Sequence, residues 1–238
     1  MAAAHACSGH RPSPDNRMRI ECVLLDVDGT LVDSNDAHAS AWADVLTDRG
    51  QPGMYFKARP MIGMGGDKML PLLTGLDPES SEGKRVLDRR VEIFTQRYLP
   101  KIRPFPCTTM LLRSLHELGL RLVVATSAGE EELGGLLKIA GAEPFLYQAT
   151  SSDDAENSKP DPDILKAALR KGRCEPARAI MIGDTPYDVE AARRAGVATI
   201  GLKCGGWSEQ QLRGARAIFR DPADLLARRS QRMRLLGR

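Results

Sequence analysis

The 238-residue chain has no apolar run approaching the ~20 residues that cross a bilayer. Its 42% hydrophobic and 27% charged residues predict a soluble globular protein instead. It also lacks any CxxC pair and any cysteine with a histidine at ligand spacing. Cys7, Cys22, Cys107, Cys174 and Cys204 are scattered and odd in number, which argues against a disulfide framework or zinc site and for reduced thiols in a cytoplasm. Charge of one sign is scarce too. The net charge is only +3, and the one visible concentration, Arg228, Arg229, Arg232, Arg234 and Arg238, reads as a solvated helix end or frayed tail rather than a nucleic-acid surface. The first seventeen residues have no apolar core of the secretory kind, and Asp15 with the missing amphipathic arginine pattern argues against a transit peptide. Residues 1–17 are expected to be a disordered extension, with Met18 a second candidate start.

What is present is a rhythm of short β-branched and apolar runs between helical stretches. Residues 20–26, 121–126, 145–149, 178–182 and 197–202 read as strands. Strands alternating with helices predict an α/β fold, a parallel sheet with helices on both faces. Leu111, Leu112, Leu115 and Leu118 form a helical stripe closed by Gly119, and Val189, Ala192 and Ala195 lead to a stop at Gly196. Asp161-Pro162-Asp163 reads as N-cap, first-turn proline and first-turn acid of another helix. The gap between the first strand and the second, near residue 121, is too long for one crossover helix. Between Ser34 and Arg103 the pattern is helical throughout (Ala37 to Arg49, Asp67 to Thr74, Gly83 to Leu99), with no strand-like alternation. This predicts a small all-α domain, residues 34–103, inserted into a core of residues 18–33 and 104–238 with hinges near Asp33 and Pro104.

The chemistry concentrates at strand ends. Asp26 and Asp28 close the apolar run Val23-Leu24-Leu25, and residues two apart on an extended chain face the same side, so both carboxylates can meet one substrate. Gly29 lets the backbone turn next to them. Thr126-Ser127 follows the second strand and offers hydroxyls and backbone N–H groups to an anion, although a threonine there can equally cap the next helix. Lys159 stands beside Pro160-Asp161-Pro162, a frame with little backbone freedom. Asp184 and Asp188 sit at a strand-to-helix turn, where they fit either a capping pair or hard oxygen ligands for Mg²⁺.

The stretch Asp26-Val27-Asp28-Gly29-Thr30-Leu31-Val32-Asp33 resembles the first motif of the haloacid dehalogenase (HAD) superfamily. Thr126-Ser127, Ser158-Lys159-Pro160 and Gly183-Asp184 through Asp188 are similar to its second, third and fourth motifs, in the same order. The resemblance implies a Rossmann-like core with a helical cap, in the phosphoglycolate phosphatase or β-phosphoglucomutase-like subgroup. It implies a phosphatase in which Asp26 is the nucleophile and Asp28 the acid and base. Thr126, Ser127 and Lys159 would bind phosphate, and Mg²⁺ would be held by Asp26, the backbone carbonyl of Asp28, Asp184 and Asp188. On the same grounds Asp28 is expected to be protonated when it meets the leaving oxygen.

His38 and Trp42 share one face of the first cap helix. Their spacing from Asp26 resembles that of β-phosphoglucomutase, whose cap histidine contacts the acid/base aspartate; the alternative is an exposed histidine beside a packing tryptophan. A mutase needs a second phosphate anchor, and Gly66 stands near where those enzymes carry an arginine, with Arg59 or Lys68 as the substitutes at hand. A phosphonate hydrolase would need a Schiff-base lysine in the cap; Lys57 and Lys68 stand there, but nothing nearby marks either as desolvated. The expectation is therefore a cytoplasmic, monomeric hydrolase of a small phosphorylated metabolite, with no nucleic-acid or membrane partner.

Overall fold

The computed structural model describes residues 19–238, so the expected disordered extension at 1–17 lies outside the described residues. Six strands, β1 (Cys22–Leu25), β2 (Arg121–Val124), β3 (Leu146–Gln148), β4 (Ala179–Gly183), β5 (Ala198–Leu202) and β6 (Ala217–Phe219), form one sheet in the order β3-β2-β1-β4-β5-β6. Every neighbouring pair is parallel. The Rossmann-like α/β expectation holds. Successive side chains of β1 serve opposite faces: Val23 and Leu25 join one apolar cluster, Cys22 and Leu24 the other, and all four are fully buried. A strand covered on both sides must be apolar at every position, which is why this one reads as an unbroken run rather than an alternation.

Helices α1 (Asn35–Thr47), α2 (Tyr55–Ala58), α3 (Gly66–Thr74) and α4 (Ser81–Ile93) all lie between β1 and β2 in the chain. α1 packs on α4, and α4 continues through a wide turn (Phe94–Tyr98) and a tight one (Leu99–Lys101) that bring the chain back. The outgoing and returning segments run side by side: Asp33 N donates to Arg103 O (2.9 Å) and Phe105 N to Leu31 O (3.1 Å). After them come α5 (Thr108–Glu117), α6 (Glu130–Ala140), α7 (Asp163–Gly172), α8 (Pro186–Ala195), α9 (Pro222–Ala227) and α10 (Arg229–Leu235). The stop at Gly196 holds, its φ of 74° being the left-handed geometry of a helix end.

Three expectations need correction. Asp161 does not cap α7; Pro162 takes that position without a side-chain bond, and Asp161 instead pairs with Lys68 and with Arg194 (2.9 Å). The C-terminal arginines are not simply a solvated tail, because Arg232 is buried and donates to Leu225 O (3.1 Å), Leu226 O (2.7 Å) and Ser114 Oγ (3.1 Å), tying α10 to α9 and α5. β6 went unread in the sequence: three residues at a sheet edge carry no period of their own, and only pairing with β5 makes them a strand.

Candidate active site

β1 and β4 are neighbours in the middle of the sheet, with Leu25 opposite Ile182, so the acids that follow them leave from adjacent strand tips. That is the carboxyl edge of the sheet, where the order turns from β2 on one side of β1 to β4 on the other, the usual ligand position in open parallel sheets. One carboxylate oxygen from each of Asp26, Asp184 and Asp188 lies within 4.8 Å of the others, and all three side chains are buried. Asp28 is not in this cluster; its carboxylate accepts from Ser34 Oγ and lies 2.8 Å from His38 Nε2.

The sheet places Lys159, wholly buried, in the middle of the acids. Its Nζ is 2.6 Å from Asp26 Oδ1 and 2.7 Å from Asp188 Oδ1. The ammonium therefore answers Oδ1 of Asp188, while Oδ2 accepts from Thr185 N (3.0 Å) and Thr185 Oγ1 (2.8 Å). The capping reading of Asp188 holds through Oδ2, and Oδ1 faces Lys159 and the other acids.

Asp184 is fixed as firmly, by Thr30 Oγ1 (3.0 Å), by Asn35 Nδ2 (3.0 Å) and by two glycines. A Cβ at Gly205 would sit 1.6 Å from Asp184 Oδ2 and one at Gly29, whose φ is +75°, 2.3 Å from it. Only glycine lets both backbones close on this carboxylate.

One ammonium against three carboxylates leaves negative charge out of balance. Burial pushes Asp26 up to about 7, with Asp188 and Asp28 adding to the rise and Lys159 opposing it. Burial likewise holds Asp184 well above the usual carboxylate range, helped by Asp26 and Asp188. For Lys159 burial works against the charge, but Asp188 and Asp26 outweigh it and the ammonium is held above its ordinary value. A buried, oxygen-only set of three carboxylates facing a single ammonium fits a hard divalent cation, which would supply the missing positive charge.

Asp28 is held differently from Asp26 and Asp184. Burial would raise it, yet His38, Ser34 and Arg90 together hold it below the usual range, so it stands here as a carboxylate rather than an acid. His38 is not the exposed alternative either. It is buried, stacked on Phe94 with ring centroids 3.9 Å apart, and it shares with Trp42 the wall of a cavity also lined by Asp26, Asp28, Thr126 and Ser127. Thr126 Oγ1 accepts from Ala128 N (3.1 Å), the turn-closing role, which leaves its O–H free to donate; Ser127 Oγ has no protein partner. The cavity's free volume is ≈ 40 Å³, room for a few waters at ~10–15 Å³ each.

The family model for the haloacid dehalogenase-like hydrolase matches residues 23–202, a span that runs from β1 to β5 and takes in every residue of this cluster. The chain belongs to that family. The hydrolase is 26% identical to the pyrophosphatase PpaX of Bacillus pumilus over 90% of its own length and 94% of the relative's. It is 29% identical to the phosphoglycolate phosphatase of Caulobacter vibrioides over 79% and 81%. Among solved structures, one described as a β-phosphoglucomutase from Bacteroides vulgatus superimposes with a TM-score of 0.83 at 25% identity, covering 94% of this chain and 93% of that one. Family membership and relatives named as phosphatases make the chain a phosphatase-type hydrolase.

Five residues at this site of the hydrolase were not singled out from the sequence. Thr30 was quoted within its motif without a role, and nothing local marks Asn35 or Gly205, which meet Asp184 only because β1 and β5 flank β4. Arg90 and Glu132 lie on α4 and α6 and pair at 2.5 Å across the cavity wall. Neither stands in a recognisable motif, so their meeting was not legible. Arg59 and Lys68, the expected stand-ins for a second phosphate anchor, are engaged elsewhere: Arg59 with Asp36 and with Gly205 O (2.9 Å), Lys68 with Asp161.

Proposed function

We propose that this hydrolase is a Mg²⁺-dependent phosphatase of a small phosphomonoester, working through an aspartyl-phosphate on Asp26. The observation that carries the proposal is the convergence of Asp26, Lys159, Asp184 and Asp188 on one buried point beside Thr126 and Ser127. Mg²⁺, held by Asp26, Asp184, Asp188 and the Asp28 carbonyl, would supply positive charge to a bound phosphoryl group. Lys159 opposes the protonation of Asp26 and holds it close to an anion that would otherwise repel it, and the hydroxyls of Thr126 and Ser127 donate to the equatorial oxygens. Asp26 then attacks phosphorus in line, and the P–O bond to the leaving group breaks as the bond to Asp26 forms. The leaving oxygen takes a proton from the Asp28–His38 pair, and the same pair accepts one from the water that later releases phosphate.

His38 Nε2 lies 2.8 Å from Asp28, within reach to share the proton that goes to the leaving oxygen. His38→Ala is thus expected to slow alkyl phosphates by roughly 10²-fold while leaving aryl phosphates, whose leaving groups need no proton, within a few-fold. Equal losses on both substrates would remove His38 from proton transfer. The helical segment 34–103 acts as a cap that opens on its paired crossings near Asp33 and Pro104 and closes on the substrate, its residues His38, Trp42 and Arg90 walling the cavity over Asp26. The same reading gives the enzyme a cytoplasmic setting and a monomeric state. Among the described residues no helix is long and apolar enough to cross a membrane.

The deciding experiment combines turnover of p-nitrophenyl phosphate with and without Mg²⁺ and a thermal-shift titration at several pH values. Acids whose pKa is raised by folding hold protons that compete with a cation and release them as pH rises. With Asp26 pushed up to about 7 and Asp184 raised as well, the Mg²⁺-induced rise in Tm is expected to be larger at pH 8 than at pH 5.5. Turnover that persists in EDTA, or a shift that shrinks as pH rises, would end this reading. The mutase alternative requires a second phosphate anchor, and Arg59 and Lys68 are both committed to other partners.

A further inference from the structure

Arg90 and Glu132 face each other where the helical segment meets the sheet domain, and each keeps a buried polar atom that nothing satisfies. Glu132 is wholly buried; its Oε1 takes Arg90 Nη1 at 2.5 Å, while its Oε2 has no donor. Arg90 lies over the Trp42 ring (5.7 Å), reaches His38 Nδ1 at 3.4 Å, and leaves its Nε without an acceptor. Unsatisfied buried polar atoms are uncommon in a folded protein, and two on one ion pair at the rim of a reaction site point to a ligand group that completes them. Both residues line the cavity that contains Asp26 and Asp28. Both also line a wider cleft that adjoins it, in which, among the described residues, seven acids including Asp67, Glu131 and Glu156 face one basic residue, Arg90.

We propose that the Arg90–Glu132 pair selects a leaving group bearing a hydroxyl or amino hydrogen-bond donor and rejects one bearing a second negative charge. This deepens the phosphatase reading and rests on it. A donor on the leaving group completes Oε2 of Glu132, and a hydroxyl can also accept from Nε of Arg90. A carboxylate or second phosphate would meet Glu132 with no donor to offer. It could gain Arg90 only by drawing the guanidinium off a buried carboxylate, which would strand that charge. The acidic cleft beyond adds repulsion of the same sign. Arg90 is thus no substitute for a second phosphate anchor, since its charge is already answered. Specificity here arises as much from what the site refuses as from what it binds.

Three alkyl esters of similar size isolate charge as the variable: 2-hydroxyethyl phosphate, O-phosphoethanolamine and 2-phosphoglycolate. With Mg²⁺ present, kcat/KM is expected to be at least about tenfold higher for one of the first two than for phosphoglycolate, and the better of the two tells hydroxyl from amine recognition. In Glu132→Gln the disadvantage of phosphoglycolate should shrink by about tenfold, whereas Glu132→Asp, which keeps the charge, should retain it. Wild-type preference for phosphoglycolate overturns the inference, as does an unaltered ratio in a folded Glu132→Gln. Should that variant fail to fold, the wild-type order decides alone. Turnover of p-nitrophenyl phosphate in the same preparations separates the two levels: if it is absent the phosphatase reading falls, and if it is present with phosphoglycolate preferred only the selection by charge falls.

Discussion

Asp26→Asn is expected to lower kcat by at least on the order of 10⁴-fold on alkyl and aryl phosphates alike, because an amide oxygen cannot replace the carboxylate that forms the covalent intermediate. The fold should survive it. Asp26 is a buried acid raised to about 7 by burial and by its acidic neighbours, so a neutral isostere relieves repulsion from Asp184 and Asp188. Lys159 keeps Asp188 as a partner. The Tm of the metal-free variant at pH 8 should therefore equal or exceed that of the wild type. Residual turnover within a hundredfold of wild type, by purified protein shown to carry the substitution, would remove Asp26 from the nucleophile's role.

Lys159→Met should cost both activity and stability, and its stability cost should depend on pH. The side chain is fully buried between Asp26 and Asp188, so its loss strands two buried carboxylates, a change of about 3–5 kcal/mol when one partner of a buried pair is removed. Lysine's own titration does not set the pH dependence. Its folded pKa is raised, so its contribution is complete below the unfolded value and is lost only as pH climbs through the folded one, above the range of interest. The carboxylates set it. Asp26 and Asp184 have folded pKa values above their unfolded ones, so their effect on stability turns unfavourable as pH rises from about 4 through 7. Without Lys159 that window widens upward. Urea denaturation at pH 5.5 and pH 8 should show the larger loss at pH 8, partly recovered by Mg²⁺, and a loss independent of pH would mean that Lys159 serves packing alone.

The two variants probe opposite sides of one imbalance, three acids against one ammonium, and should move metal-free stability in opposite directions. Arrangements that push carboxylate pKa values upward are common where a bound group is meant to restore the balance.

Much of this site could be read from the chain. Asp26, Asp28, Asp184 and Asp188 are marked by their positions at the ends of apolar runs, since a buried parallel strand must be apolar throughout and its carboxyl end is where polar residues begin. Lys159 was legible from the prolines around it, and the helices of residues 34–103 from their period. Arg232 shows the limit. An arginine in a basic tail looks solvated until α9 and α5 supply the carbonyls and the hydroxyl it binds.

The sequence alone determined the strand–helix rhythm, the helical insertion and the order of the four motifs, because each rests on a local period or on a chain break at a strand tip. Tertiary structure decided that Lys159 lies between Asp26 and Asp188, that His38 faces Asp28, that Gly205 closes on Asp184 and that Arg90 meets Glu132. The reason is physical. These pairs join residues 10 positions apart, as for His38 with Asp28, to 133 apart, as for Lys159 with Asp26, and no local pattern encodes a contact that only the folded chain creates.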